Sequence, residues 1–154
     1  MGAPFDLTAA WIAEVAGGRL INGDPQSVAA GVSIDSRTIR EGDLYVALRG
    51  ERHDGHAFVQ DALARRAAGL IVSDEAAANA AAMADAFVIV VADTLAALQS
   101  PGRETPRRSA AMVVAITGSA GKTTTKELTA ALLETKFEVF RNRGNLNNHI
   151  GLPL

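Results

Sequence analysis

The chain contains 154 residues, 48% of them hydrophobic, and carries a formal net charge of −2. This composition is typical of a folded domain, and the lack of a basic excess argues against nucleic-acid binding. The absence of cysteine excludes disulfides and thiolate metal sites. Because the chain lacks a signal-peptide pattern and any apolar run near the ~20 residues that span a bilayer, we expect a cytoplasmic protein without membrane insertion.

The first hundred residues alternate between helical and extended patterns. Apolar spacing and turn residues predict helices over residues 7–15, 56–67, 74–86 and 93–98, and strands over residues 19–21, 28–34, 44–48, 70–72 and 87–91. The run 87–91 is continuously apolar, as expected for a strand that is buried on both faces. Strands that alternate with helices predict an α/β domain.

Residues 101–109 interrupt this pattern. They include two prolines, one glycine and four charged residues, a composition typical of a linker. We therefore predict that the helix capped by Asp93 breaks at Pro101-Gly102. On this basis the chain divides into a first domain at 1–100, a linker at 101–109 and the start of a second domain at 110–154.

A glycine-rich loop follows the linker. The apolar run 111–116 predicts a strand, the sequence Thr-Gly-Ser-Ala-Gly-Lys-Thr-Thr-Thr occupies residues 117–125, and a helix is predicted from Lys126. A strand, a glycine-rich loop, a Lys-Thr pair and a helix in this order are typical of a phosphate-binding loop. Gly118 and Gly121 allow backbone N–H groups to point inward, and the helix N-terminus adds partial positive charge.

The residue types in this loop fit a nucleotide bound with Mg²⁺. The amine of Lys122 can reach the terminal phosphates, the hydroxyl of Thr123 can ligate Mg²⁺, and Thr124 can add a phosphate contact. We predict Lys122 and Thr123 as catalytic residues, in a nucleotide site formed by Gly118, Ser119, Ala120, Gly121, Lys122, Thr123 and Thr124. The loop departs from the general G-x-x-x-x-G-K-[ST] pattern, because Ile116 occupies the position of the first glycine. A turn that only caps a helix is the alternative.

In this departure the loop resembles the ATP loop of the Mur ligase family. Lys126-Glu127 and the run Gly-Asn-Leu-Asn-Asn-His-Ile-Gly-Leu-Pro at 144–153 are similar to those of the family members that add D-alanyl-D-alanine. Asp35-Ser36-Arg37 and the segments 42–50 and 54–58 resemble the N-terminal domain of the family. The resemblance covers nearly the whole chain and is weak over residues 74–109.

The resemblance implies an α/β fold. A small domain for the UDP-linked substrate would precede the first strand, phosphate loop and helix of a central ATPase domain. It also implies a ligase that uses ATP and Mg²⁺ to join D-alanyl-D-alanine to UDP-N-acetylmuramoyl-tripeptide, through an acyl phosphate, in peptidoglycan synthesis. It assigns the UDP end of the substrate to Ser36, Arg37, Gly50, Asp54, Gly55 and His56, and it adds Asn147 and Asn148 to the ATP site.

Alternatives stay open for the site and for the activity. Asp35 and Arg37 can instead form a surface ion pair, and Asp54 can cap a helix. The activity can instead be that of a ligase that adds the third amino acid of the peptide. It can also be that of a UDP-precursor-binding module without catalysis, or of a phosphate-loop NTPase of another class.

The sequence up to Leu154 does not contain all of the catalytic residues that the family resemblance implies. No acidic residue follows the phosphate loop at the end of a second strand, because Glu127, Glu134 and Glu138 fall on or just after the predicted helix. We therefore expect a fragment of a longer ligase that is inactive by itself. A lone strand has exposed edges, so residues 112–116 should be poorly packed, or should dock on the first domain or on another copy of the chain.

Overall fold

The computed structural model describes residues 6–50, 53–81, 84–109 and 112–141, and it describes side chains there except at 105–109. Within these ranges the strands are β1 (Leu7–Thr8), β2 (Arg19–Asn22), β3 (Val28–Ala29), β4 (Val32–Ser33), β5 (Leu44–Val46), β6 (Gly69–Val72) and β7 (Phe87–Val90). The helices are α1 (Ala9–Ala16), α2 (Val59–Ala64), α3 (Glu75–Ala81), α4 (Thr94–Ser109) and α5 (Lys122–Glu134), and a short 3₁₀ helix (Gly55–Phe58) precedes α2.

A five-stranded sheet organises residues 19–90. Its strand order is β2-β7-β6-β5-β4. Strands β4 to β7 run parallel to one another, and β2 pairs antiparallel with β7 at one edge. The register places Leu70 of β6 between Tyr45 of β5 and Val88 of β7. A separate antiparallel pair joins β1 to β3. The predicted α/β class is confirmed.

Helices cover both faces of the sheet. Because side chains alternate along a strand, successive residues of β5, β6 and β7 enter two different cores. One core includes Leu44, Val46, Ile71, Phe87 and Ile89 with Trp11, Ile12, Ala97 and Leu98 of α1 and α4. The other includes Tyr45, Leu70, Val72 and Val88 with Val59, Ala62, Ala78 and Ala81 of α2 and α3. The continuous apolar runs of the inner strands follow from burial on both faces.

The predicted strand over residues 28–34 is wrong as a single element. Its first part forms β3 in the small antiparallel pair, and its second part forms β4 at the edge of the main sheet. Between them the N–H of Ala30 donates to the carbonyl of Gly42 at 2.8 Å, and the carbonyl of Gly31 accepts from Leu44 at 2.8 Å. The chain therefore changes sheets within two residues, which an apolar pattern alone does not reveal.

The predicted helix break at Pro101-Gly102 is also wrong, because α4 continues through both residues to Ser109. Proline cannot donate to the carbonyl four residues earlier, but the N-terminal half of α4 is held by other interactions. Asp93 caps it by accepting from the N–H groups of Leu95 and Ala96 at 2.8 and 3.2 Å, and Ala97 and Leu98 are buried against the sheet. The division of the chain into two domains stays a prediction.

The predicted strand at 111–116 is not formed over its described residues, 112–116. No strand pairs with this segment within the part of the chain that the structure describes, so its backbone joins no ladder of hydrogen bonds. The side chains of Met112, Val113 and Val114 are 91%, 68% and 54% exposed. The helix predicted from Lys126 begins earlier, at Lys122. Among the described residues, no helix is both long and apolar enough to cross a bilayer.

Candidate functional site

Two of the segments predicted to bind substrate lie at the same edge of the sheet. Ser36 and Arg37 follow the carboxyl end of β4, and residues 49–50 and 53–56 follow the carboxyl end of β5. The two strands are parallel neighbours, with Val32 opposite Leu44 and Ser33 opposite Tyr45. Ligands of parallel α/β sheets bind beyond the carboxyl ends of the strands, so this edge is the place where a substrate site is expected.

An ion pair shapes the turn after β4. Arg37 donates from Nε to Asp35 Oδ1 at 2.9 Å and from Nη2 to Asp35 Oδ2 at 2.7 Å, and its backbone N–H donates to Oδ1 at 3.0 Å. The hydrogen bonds from the Arg37 side chain are the main cause that lowers the pKa of Asp35 to about 2. The ion-pair alternative is therefore present, and it fixes Arg37 at the rim of the site.

A cleft opens beside this turn. Its volume is about 310 Å³, and it is lined by Ser36, Arg37, Asp61, Ala64 and Arg65. Ser36 is only 5% exposed, so its side chain forms part of the wall. The residues from α2 and its C-terminal end were missed by the sequence analysis. The i, i+4 spacing of residues 61 and 65 puts them on one helix face. This spacing was the available signal, but it does not predict which part of the protein that face contacts.

Asp54 organises the loop after β5. Its Oδ1 accepts from the backbone N–H of His56 at 3.0 Å and contacts His56 Nδ1 at 2.5 Å, while its Oδ2 accepts from Arg49 Nε at 2.9 Å. The backbone N–H of His56, followed by its ring, is the main cause that lowers the pKa of Asp54 to about 2. Asp54 caps the 3₁₀ helix, as in the helix-capping alternative.

The ring of His56 connects two loops. Its side chain is 6% exposed, and its Nε2 lies 2.9 Å from the backbone N of Ser73, just after β6. A backbone N–H can only donate, so Nε2 carries the lone pair and Nδ1–H donates to Asp54. Both ring nitrogens are therefore used within the protein, and His56 holds the shape of the loop.

The glycines of this loop also make internal contacts. The N–H of Gly50 donates to the carbonyl of His53 at 2.9 Å, and the N–H of Gly55 donates to the carbonyl of Leu48 at 2.8 Å. The buried Tyr45 donates its hydroxyl to the carbonyl of Gly55 at 3.1 Å, and burial raises the pKa of Tyr45 to about 12. The loop is thus tied to the strand beneath it.

The predicted phosphate loop has an open, curled backbone. Gly121 adopts a left-handed conformation with φ of 77° directly before α5, a conformation that favours glycine. The carbonyl of Gly121 accepts from the N–H of Thr125 at 2.9 Å and from its hydroxyl at 3.0 Å. The Nζ of Lys122 donates back to the carbonyl of Gly118 at 2.5 Å, so the amine lies over the loop.

This loop has room for a phosphate group. Nothing lies within 4 Å of the position that a Cβ on Gly121 would take, and Ser119, Ala120, Thr123 and Thr124 are exposed. The described residues contain no group of three or more His, Asp or Glu side chains that could hold a metal. Asn147 and Asn148 lie outside the described residues.

Comparison with known proteins identifies the family of this chain. A family model described as "Mur ligase family, catalytic domain" matches residues 28–135. The chain belongs to the Mur ligase family. The match extends from β3 to the end of α5, and thus includes both the edge of the sheet and the phosphate loop.

Similar Mur ligases share its sequence and its fold. The chain is 41% identical, over 144 residues, to the UDP-N-acetylmuramoyl-tripeptide–D-alanyl-D-alanine ligase of Bacillus subtilis (strain 168), and the alignment covers 93% of the chain and 31% of that relative. It superimposes on a crystal structure of MurF from Acinetobacter baumannii with a TM-score of 0.83 and 35% identity, over 97% of this chain and 32% of that one.

A second solved structure bears on the nucleotide. MurF from Thermotoga maritima in complex with ADP has a TM-score of 0.65 and 37% identity to the chain, over 79% of this chain and 27% of that one. The chain therefore spans about a third of the length of the relatives that it matches.

Proposed function

We propose that this chain contributes the precursor site and the ATP loop of a ligase that joins D-alanyl-D-alanine to UDP-N-acetylmuramoyl-tripeptide. The observation that carries the proposal is the 41% identity to a ligase of that name over 93% of the chain. Because the chain spans about a third of that relative, the activity is proposed for a protein of the relative's length that contains this segment. The names of the relatives favour this reaction over addition of the third amino acid.

The edge of the sheet would hold the UDP end of the precursor. Ser36 and Arg37 line the cleft beside β4, and both offer donors to nucleotide oxygens. Gly50 and Gly55 donate their N–H groups to carbonyls of the same segment, so their part would be to shape the loop beside the ligand. Asp54 and His56 bond to each other and to the backbone, so their part in the site is to hold this loop in shape.

The phosphate loop would hold ATP. Its ligands would be Gly118, Ser119, Ala120, Gly121, Lys122, Thr123 and Thr124, with Asn147 and Asn148 from the segment that follows. When ATP binds, the amine of Lys122 would give up its hydrogen bond to the Gly118 carbonyl and donate to the terminal phosphates instead. The hydroxyl of Thr123 would ligate Mg²⁺, which when bound neutralises charge on the phosphates.

In the reaction we propose, the terminal phosphoryl group of ATP moves to the C-terminal carboxylate of the tripeptide, and ADP leaves. The amine of D-alanyl-D-alanine then attacks the acyl carbon, the C–O bond to phosphate breaks, and an amide forms with loss of a proton. Lys122 stabilises the negative charge that shifts during the first step, and the loop N–H groups fix the phosphates in position. Since ATP is an intracellular substrate, we assign the reaction to the cytoplasm.

A titration monitored by NMR would test both halves of this proposal. Addition of UDP-N-acetylmuramoyl-tripeptide should shift the amide signals of residues 35–37 and 50–56, and Mg-ATP should then shift those of residues 118–124. A precursor that shifts no signal of a chain shown to be folded would contradict the substrate assignment. ATP that shifts signals while the precursor shifts none would favour a phosphate-loop NTPase of another class.

A matched pair of lysine variants would test the ATP half separately. Lys122→Ala should weaken Mg-ATP binding by at least about tenfold, because a charged hydrogen-bond donor is lost. Lys136→Ala removes an equal charge beyond the C-terminal end of α5, near the ring of Phe137, and should change ATP affinity by less than about twofold. Equal effects of the two substitutions would contradict a specific role for Lys122.

A further inference from the structure

The cleft beside β4 contains an arginine, Arg65, that no carboxylate among the described residues holds in an ion pair, although its positive charge helps to lower the pKa of Asp35. Three arginines on the segments around this edge are held by carboxylates: Arg37 by Asp35 at 2.7 Å, Arg49 by Asp54 at 2.9 Å and Arg66 by Glu41 at 2.9 Å. Arg65 lines the cleft, yet its guanidinium forms no ion pair or side-chain hydrogen bond with any residue in the described part of the chain. Arg65 is therefore available to a ligand.

Ser36 adds a second unused group to the same cleft. The residue is 95% buried, since only 5% of it is exposed, but its hydroxyl has no hydrogen-bond partner among the described residues. No fully buried side-chain nitrogen or oxygen in the described residues lacks a partner, so this hydroxyl must meet solvent at the cleft. A hydroxyl in such a wall can donate to, or accept from, a bound ligand.

The third polar group of the cleft limits what can bind there. Asp61 brings a carboxylate into the same lining, and a carboxylate repels an isolated anion. It accepts hydrogen bonds from sugar hydroxyls, however, as acidic residues do for the ribose of bound nucleotides. A cation, a hydroxyl and a carboxylate in about 310 Å³ suit a ligand that carries phosphate and hydroxyl groups together.

We propose that Arg65 binds the diphosphate of the UDP-linked substrate, with Asp61 facing its ribose. This inference rests on the proposed function, and it adds residues that the sequence motifs do not include. Arg37 donates from Nε and Nη2 to Asp35, whereas no donor of the Arg65 guanidinium is used by a described residue, so Arg65 can form paired hydrogen bonds with phosphate oxygens. Arg37 thus shapes the rim, and Arg65 supplies the charge.

Binding of UDP and of uridine, measured by calorimetry, would test this role. Arg65→Gln should weaken UDP binding by about tenfold or more, because charged hydrogen bonds to phosphate are lost. It should leave uridine binding unchanged, since uridine has no phosphate. Arg65→Lys should recover part of the UDP affinity, because it keeps the charge and loses the fork. The salt dependence of UDP binding should decrease in Arg65→Gln.

The neighbouring arginine is the matched control. Arg66→Gln removes the same charge one residue away, from a side chain held by Glu41, and should change UDP affinity by less than about twofold. If the unmodified chain binds UDP and Arg65→Gln binds it equally well, or if UDP and uridine weaken together, the role of Arg65 is wrong and the substrate site stands. If the folded, unmodified chain binds neither UDP nor uridine, both this role and the proposed substrate site are wrong.

Discussion

Two regions of this chain contain similar apolar residues but use them differently. We call residues 6–109 the layered region and residues 112–141 the loop–helix region. In the layered region, Phe87, Leu70 and Ile89 are at most 1% exposed. In the loop–helix region, Leu132 and Phe140 are 73% and 93% exposed. An apolar pattern therefore predicts where a chain can be buried, but burial needs a second surface within reach.

The same difference separates the two halves of the candidate site. The edge after β4 and β5 rests on β5, whose side chains are packed from both faces of the sheet. The phosphate loop rests on α5, where Ala130 is the one buried residue among the described residues of the loop–helix region. A site is held most firmly by elements that are themselves packed. The substrate edge should therefore be preorganised to a greater degree than the phosphate loop.

Amide hydrogen exchange should show the largest contrast between the two regions. Exchange at Leu70 and Val88, inside the parallel sheet, should require global unfolding, which costs about 5–15 kcal/mol in domains of this kind. The amides of Val113 and Val114 have no acceptor among the described residues and should exchange at the rate of an unfolded peptide. Strong protection at Val113 and Val114 would mean that this segment is covered, for instance by a second copy.

Truncation of one large side chain in each region should differ by several kcal/mol. Phe87→Ala removes a ring that is 1% exposed, and should lower the free energy of unfolding by about 3–5 kcal/mol. Leu132→Ala removes a side chain from an exposed face and should change it by less than about 0.5 kcal/mol. Urea denaturation followed by circular dichroism would measure both. A comparable loss in Leu132→Ala would show that the face of α5 is packed in solution.

Sequence patterns predicted the layered region well, because strands buried on both faces have continuous apolar runs that are visible in the sequence. The apolar runs of β6 and β7 were placed to within a residue, and the Asp93 cap fixed the start of α4. The predictions failed where tertiary context overrides a local rule. The helix continues through Pro101 because its first turns are packed against the sheet. The run 28–34 is divided because its two parts pair with strands of different sheets.

The candidate site was predicted only where its residues are close in sequence. Ser36 and Arg37 form a compact motif after a strand, so they were found. Asp61 and Arg65 reach the same cleft through the crossover that carries the chain from β5 to β6, and no spacing rule connects them to Ser36. A sequence motif does not predict site residues whose position depends on how a helix packs over the end of a strand.

One glycine in each region lies at a helix end with a left-handed backbone conformation. Substituting alanine at each glycine would therefore introduce the same backbone strain into the layered region and into the loop–helix region. Gly17 ends α1 with φ of 62°, Gly121 precedes α5 with φ of 77°, and neither has an atom within 4 Å of an added Cβ. Alanine in this conformation costs about 1–2 kcal/mol. Gly17→Ala should lower the free energy of unfolding by about that amount.

Gly121→Ala should instead leave global unfolding unchanged, because α5 contributes little to the packed layers. Its cost of about 1–2 kcal/mol should appear as weaker Mg-ATP binding, by about tenfold, in a titration of the variant. Unfolding by urea would separate the two outcomes. An equal loss of global stability in the two variants would show that α5 unfolds together with the sheet.

The smallest contrast should be a difference in acid sensitivity. The pKa of Asp54 is lowered to about 2 by the backbone and ring of His56, from about 3.9 in the unfolded chain. A carboxyl with a lowered folded pKa stabilises the fold fully above the unfolded pKa, so this contribution is complete above about pH 4 and is lost as the pH falls toward about 2. Asp54→Asn should therefore flatten the pH dependence of unfolding in this window, modestly, because the side chain is 41% exposed and screened by solvent.

Glu127 is the matched carboxyl in the loop–helix region. Its pKa is also lowered, mainly by the hydrogen bond from Lys126, so the local effect has the same sign as at Asp54. Glu127→Gln should nevertheless leave the acid dependence of global unfolding unchanged, because only groups that lose their environment in the cooperative transition are linked to it. Urea midpoints at pH 3 and pH 6 would measure this for both variants. If Glu127→Gln flattened the dependence as much as Asp54→Asn, the two regions would have to unfold as one cooperative unit.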